Sequence, residues 1–170
     1  TRSSAASDVY KRQVLYHLTT LGWTDVIMLE RSDLTSGSTW HAAGGMHTIN
    51  GDPNVSKLQQ YTIKLYKEIE ELSGQDISLH MTGGVMLAAT EDRFDWLKGV
   101  CAKGKYLGMD GLEIITPERA RELMPLIEPS QFVGAMYDPV EGHVDPYGVT
   151  HAYAKAARKN GARYQTQTTV

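Results

Sequence analysis

Apolar residues recur along this chain with two periods, and the switches between them outline its elements. Val14, Leu15, Leu18 and Leu21 fall at i, i+1, i+4 and i+7, which predicts a helix from Val14 closed by Gly22. Val26-Ile27-Met28-Leu29 is short and branched, the pattern of a buried parallel strand. After a polar stretch and the turn cluster Gly51-Asp52-Pro53-Asn54, a long helix is predicted from about Val55 to Ser73. Leu58, Tyr61, Leu65, Ile69 and Leu72 form its stripe, and Gly74 ends it. Ile77–His80 and Gly84–Ala88 read as two strands around Thr82-Gly83. A helix from Glu91 to Leu107 turns Phe94, Leu97, Val100 and Cys101 inward. Leu112–Ile115 is a strand, and Thr116-Pro117-Glu118 opens a short helix running to Met124. Phe132–Tyr137 is a strand. Asp145 caps a helix to about Asn160, with Pro146 at its first position and Val149, Ala152, Tyr153, Ala156 and Ala157 on a narrow face. Arg163–Val170 is the last strand.

A helix feeding a strand is the second half of a βαβ unit. The strand at Val26 ends on Glu30, followed by Arg31. A carboxylate at the carboxyl end of a parallel strand is where a doubly wound sheet binds nucleotides, and it accepts hydrogen bonds from the ribose hydroxyls. A 2′-phosphate would be repelled, so FAD or NAD suits this end better than NADP. Next come Thr35-Ser36-Gly37-Ser38-Thr39, whose hydroxyls and backbone amides can hold an anion or a cofactor edge if they open a helix. Trp40-His41-Ala42-Ala43-Gly44-Gly45 follows, and its small residues let a flat ring approach the backbone. The plainer reading of the same stretch is a capped loop holding a partly buried histidine.

The segment Ser38-Thr39-Trp40-His41-Ala42-Ala43-Gly44 resembles the flavin-attachment segment of the dimethylglycine and sarcosine dehydrogenase family. The turn Gly142-His143-Val144-Asp145-Pro146 resembles that family too. The resemblance implies an α/β fold: a Rossmann-like FAD-binding sheet of the D-amino-acid oxidase and glutathione reductase type. Part of an inserted α+β substrate domain would accompany it, with the N-terminal glycine-loop strand missing. It implies a flavin bonded covalently through His41, a role that suits a neutral imidazole nitrogen. Glu30, Arg31, Gly37, Ser38, Thr39, Trp40, Ala42, Ala43, Gly44 and Val170 would complete the cofactor contacts. The implied reaction is oxidative demethylation of an N-methyl amine such as dimethylglycine or sarcosine, with hydride passing to flavin N5. Also implied are an electron-transfer flavoprotein as acceptor and tetrahydrofolate bound by a C-terminal part. The location would be the mitochondrial matrix in a eukaryote and otherwise the cytoplasm. No catalytic residue is assigned. His80 and Met81 are candidates to face substrate, against the simpler role of a residue contacting its cross-strand neighbours.

Residues 1–13 are polar and without apolar period, and read as a non-native or disordered leader. The resemblance then divides the chain into the first part of the FAD-binding domain at 14–75, a substrate-domain segment at 76–142, and a return to the FAD-binding domain at 143–170. In the family the glycines of a G-x-G-x-x-G turn lie just before the first helix, near Ala6 to Lys11. No glycine occurs here before Gly22. The chain is therefore expected to be a truncated fragment, inactive in isolation. Two other readings stand beside this one: a truncated, non-catalytic α/β domain, and an NAD-type Rossmann dehydrogenase.

Composition narrows the field. With 170 residues the chain is long enough for one ordinary core, and its formal charge of −3 with no basic block points away from nucleic acid. No apolar run approaches the ~20 residues that span a bilayer, so no membrane is expected. The single cysteine, Cys101, excludes an internal disulfide and is expected to be a buried or half-buried thiol on a helix. The six histidines show no i, i+4 pair, and no metal site is expected from their spacing.

Overall fold

Side-chain caps at Asp52, Thr90, Thr116 and Asp145 set the starts of four helices. The structure, a computed structural model, describes residues 7–169. In chain order the elements are α1 (Ser7–Thr20), β1 (Ile27–Leu29), β2 (Gly45–Met46), α2 (Pro53–Ser73), β3 (Gly84–Ala88), α3 (Glu91–Tyr106), β4 (Glu113–Ile115), α4 (Pro117–Leu123), β5 (Gly134–Asp138), β6 (Gly142–His143), α5 (Pro146–Lys159) and β7 (Arg163–Gln165). Short 3-10 helices occupy Thr39–His41 and Pro129–Gln131. The described residues divide into two units. One holds the chain up to Gly45, Tyr61–His80 and the chain from His143 on; the other holds Met46–Gln60 and Met81–Gly142.

In the first unit β1 and β7 run parallel, with Ile27 opposite Arg163 and Leu29 opposite Gln165. Helices α1 and α5 pack on each other and against this pair. Met28 is buried, but Ile27 and Leu29 are 49% and 37% exposed. The strand is therefore covered on one face only, and the expectation of a strand buried on both faces is corrected. Helix α5 is buried almost all round, at Gly148, Val149, Thr150, Ala152, Tyr153, Ala154, Ala156 and Ala157. The predicted narrow face is correct but too narrow. Its alanines let α1 approach closely, and Tyr16 of α1 meets Tyr153 edge-on at 5.6 Å.

That contact fixes the inward face of α1 at Leu15, Tyr16 and Thr19, leaving Val14 and Leu21 exposed. Helix α1 also starts at Ser7, earlier than the predicted Val14, so residues 7–13 are helical here. Helix α2 begins at Pro53 because Asp52 caps it, its carboxylate accepting from Asn54 and Val55 N–H at 2.8 and 3.1 Å. Along α2, Ser56, Ile63, Leu65, Ile69 and Ser73 are buried, while Leu58, Tyr61 and Leu72 face solvent. Of the predicted stripe, Leu65 and Ile69 are buried and the other three residues are not. Tyr61 earns its exposed position through a 2.9 Å hydrogen bond to His17.

The second unit is a three-stranded antiparallel sheet in the order β3-β5-β4. Alternation along the central strand serves two cores. Met136 joins Ala88, Leu97, Cys101, Met109 and Leu112 under α3, with Phe94 and Val100 packed against them. Ala135 joins Ile115, Ala120 and Phe132 on the other side. Cys101 is buried, as expected. Thr90 and Thr116 cap α3 and α4 through the N–H groups of Arg93 and Arg119.

The predicted strand at Ile77–His80 does not form. The Asp76 carboxylate accepts from Ser78 N–H at 2.7 Å, and Ser78 takes a positive φ of 47°. This local turn competes with extended pairing, and only an isolated bridge from His80 to His143 remains. Strand β3 pairs with β5 instead of closing a hairpin at Thr82-Gly83. The final strand stops at Gln165, because Gln167 also has a positive φ, of 54°.

Candidate functional site

The parallel pair brings Glu30 to its carboxyl end, where the return strand closes around it. Glu30 N–H donates to Gln165 O at 2.9 Å, and Thr168 N–H donates to Glu30 O at the same distance. The half-buried Glu30 side chain accepts from Lys11 Nζ at 2.7 Å through Oε2 and from Ser32 N–H at 3.3 Å through Oε1. Burial pushes this carboxyl up. The bonds from Lys11 and Ser32, with the charges of Lys11 and Arg12, outweigh burial and hold it below the usual range. It is an anion at neutral pH. Arg31 is exposed.

From Asp33 the chain folds on itself. Ser36 donates twice to Asp33 O, from its N–H at 3.3 Å and its hydroxyl at 2.8 Å. Gln167 reaches Asp33 Oδ1 at 2.9 Å, tying this loop to the end of the chain. Thr35 is buried with φ 71°, a left-handed conformation uncommon for a β-branched residue. The hydroxyl-rich run opens only the 3-10 helix Thr39–His41, and the Ser38 side chain makes no cap bond to it. The expected anion-holding helix start is therefore corrected to a single tight turn, too short to carry a helix dipole.

Thr39 is buried and packs this turn inward, while Gly37 and Ser38 are half-buried. Trp40, His41, Ala42 and Ala43 are all exposed. The Trp40 and His41 rings lie 3.6 Å apart, tilted by 33°. The plainer expectation of a partly buried histidine thus fails, because His41 stands in the open beside an exposed indole. Gly44 has φ 75°, and a Cβ there would strike the Val144 carbonyl oxygen and lie 3.2 Å from Pro146 Cδ. Val144 N–H in turn donates to Gly44 O at 3.0 Å. The two segments quoted for the resemblance therefore meet in space, at Gly44 and Val144. Val170 lies outside the described residues.

These residues fit FAD in chemistry. Glu30 keeps acceptor capacity beyond the two bonds it makes, since a carboxylate has about four acceptor positions. Small side chains at Ala42, Ala43 and Gly44 leave the backbone approachable next to an exposed imidazole. Among the described residues, no group of three or more His, Cys, Asp or Glu converges as a metal site. No helix among them is long and apolar enough to cross a membrane.

The second unit holds polar residues that no spacing in the sequence singled out. Asp138 is buried and accepts a very short hydrogen bond from the Thr48 hydroxyl. Glu141 pairs with His47 Nδ1 at 3.2 Å, and a Cβ on Gly84 would overlap its carboxylate. Burial pushes the Glu141 carboxyl up; the bond and charge of His47 only partly offset this, and Asp138 adds to it. His47 and Glu141 are remote in sequence; they follow β2 and precede β6, strands that pair with each other.

Residues 13–170 match the family described as FAD dependent oxidoreductase, and the chain belongs to it. Dimethylglycine dehydrogenase, mitochondrial, of Rattus norvegicus is 40% identical over 146 residues, which are 86% of this chain and 17% of that protein. The pyruvate dehydrogenase phosphatase regulatory subunit, mitochondrial, of Mus musculus is 36% identical over 92% of this chain and 18% of its own length. Among solved structures, L-proline dehydrogenase from P. horikoshii superposes with a TM-score of 0.88 at 26% identity, covering 96% of this chain and 42% of that one. The fold is thus the FAD-binding fold of the D-amino-acid oxidase type, as the sequence resemblance implied. The chain spans less than a fifth of either curated relative.

Proposed function

We propose that this chain is part of an FAD-dependent oxidoreductase that oxidatively demethylates an N-methyl amine such as dimethylglycine or sarcosine, with the flavin tethered through His41. The observation that carries the reading is the exposed His41 imidazole, held beside Trp40 by a turn anchored on buried Thr39 and backed by Gly44. When bound, FAD supplies the acceptor for a hydride from the N-methyl carbon. The chain's own residues would hold it in place. Glu30 offers carboxylate oxygens to the ribose hydroxyls, with Arg31 beside it. Gly37, Ser38 and Thr39 shape the loop. Ala42, Ala43 and Gly44 would give room for a flat ring, and His41 would tether it through one imidazole nitrogen. The resemblance also assigns Val170 a role toward the adenosine half.

The acceptor and the second cofactor follow from the resemblance to the dimethylglycine and sarcosine dehydrogenase family. An electron-transfer flavoprotein as acceptor and tetrahydrofolate in a C-terminal part suit a dimethylglycine dehydrogenase. A mitochondrial location suits the compartment that both relatives' names carry. The second reading is a non-catalytic domain, which would suit the regulatory role in the other relative's name.

The test is acid precipitation of the full-length protein that carries this chain. Flavin fluorescence should stay with the pellet, and His41→Ala should release it to the supernatant. Dimethylglycine and sarcosine should reduce the wild-type flavin in the absence of oxygen. Flavin freed by acid from the wild type removes the tether. Flavin that no N-methyl amine reduces favours the non-catalytic domain.

A further inference from the structure

The irregular segment after Asp76 ends at His80, which faces His143, the last residue of β6, in an antiparallel bridge. Each backbone N–H donates to the other residue's carbonyl oxygen, both at 2.9 Å. This is the hydrogen-bonded type of antiparallel pair, and it puts the two side chains on the same face. Both residues are exposed. Their imidazoles stand 4.9 Å apart, centroid to centroid, within 28° of parallel. Among the described residues neither ring makes a side-chain hydrogen bond or an ion pair, and both residues are exposed side by side.

Two imidazoles fixed side by side form a chelate in waiting. A neutral imidazole nitrogen is a good ligand for Cu2+, Ni2+ and Zn2+. With metal–nitrogen bonds of about 2.0–2.1 Å and ligands at roughly tetrahedral or right angles, the two ring centroids fall roughly 5 Å apart. The pair already has that separation. Rotation about the side-chain torsions is enough to turn one nitrogen of each ring inward. The backbone bridge bears the cost of bringing the residues together, so the second imidazole binds at high effective concentration.

We propose that His80 and His143 form a two-imidazole clamp for a late first-row divalent metal ion, with solvent completing its coordination. No third His, Cys, Asp or Glu converges there among the described residues. Affinity therefore follows the general order for nitrogen sites, Cu2+ ahead of Ni2+ and Zn2+. Occupancy ties the segment after Asp76 to the entry of α5. The clamp does not involve His41.

The test is a Cu2+ titration of the whole chain near neutral pH, with a competing amino-acid chelator to suppress single-histidine binding. One equivalent should bind about ten-fold or more tighter to the wild type than to H80N or H143N, and the two variants should fall to the same level. H47N, which changes an exposed histidine elsewhere, should leave the tight equivalent in place. Pulsed electron paramagnetic resonance of the copper-loaded wild type should show two coordinated imidazoles, a readout that needs no variant to fold. Full affinity in either single variant, or one imidazole in the wild-type spectrum, overturns the clamp.

Discussion

Gly44 lies directly against the backbone of Val144. Its φ of 75° is left-handed, a Cβ at this position would strike the Val144 carbonyl oxygen, and Val144 N–H donates to Gly44 O at 3.0 Å. Gly22 offers an internal comparison, because its φ is 93° but nothing lies within 4 Å of where its Cβ would stand. Gly22→Ala should therefore cost only the backbone strain, about 1–2 kcal/mol. Gly44→Ala adds a clash with backbone, a further ~1–3 kcal/mol. Urea unfolding followed by circular dichroism separates the two. Equal losses would mean that the Gly44–Val144 approach relaxes freely.

Asp145 anchors the start of α5 with both carboxylate oxygens, accepting from Tyr147 N–H at 3.0 Å and Gly148 N–H at 2.9 Å. Its own N–H donates to Ile77 O at 2.8 Å. Asp145→Ala leaves two N–H groups without their partner and should cost about 1–2 kcal/mol. Asp145→Asn keeps one side-chain oxygen and should lose less. The same unfolding assay reads both, and an alanine variant as stable as wild type would show that water replaces the cap without loss.

Glu141 gives the second unit a pH dependence of defined sign. Burial raises its carboxyl above the ordinary value, with His47 opposing and Asp138 reinforcing. The folded chain thus binds this proton more tightly than the unfolded chain does. The resulting stability is fully present below the unfolded value, near 4.5, and is lost as pH rises through the higher folded value. Stability measured across the weakly acidic range should fall with rising pH for this group. Glu141→Gln, which stays neutral, should flatten that slope. An unchanged slope in the variant would assign the effect to other groups.

The sequence was most legible where short-range chemistry decides the outcome. Thr116-Pro117, Asp145-Pro146 and Gly74 mark helix boundaries through their own hydrogen bonds and dihedrals, and the structure follows them to within a residue or two. Faces were less legible. Leu58, Tyr61 and Leu72 fit a helical period as well as Ile63 and Ile69 do, and only the neighbouring elements choose between them. The strand at Ile77–His80 was misread because the Asp76 carboxylate captures Ser78 N–H, a competition that apolar patterning does not register. In the candidate site, Glu30 and His41 were legible as residues, but their settings were not. The ion pair from Lys11, the closure by Thr168 and the pairing of Glu141 with His47 each join positions far apart in the chain.

Trp40 offers a test of the site that is separate from fold stability. Trp40 is 68% exposed, and its ring lies 3.6 Å from the His41 ring, centroid to centroid. An exposed side chain stabilises the chain little, so Trp40→Ala should change unfolding by no more than about 0.5 kcal/mol. The indole restricts the orientations open to the imidazole, however, and a bond-forming nitrogen gains from being held near one geometry. The variant should still bind flavin but form less acid-stable adduct, and form it more slowly, than wild type. Trp40→Phe, which keeps an aromatic face beside His41, should recover part of the rate. Attachment in Trp40→Ala at the wild-type rate would show that the turn at Thr39–His41 alone positions the imidazole and that the indole has no part in it.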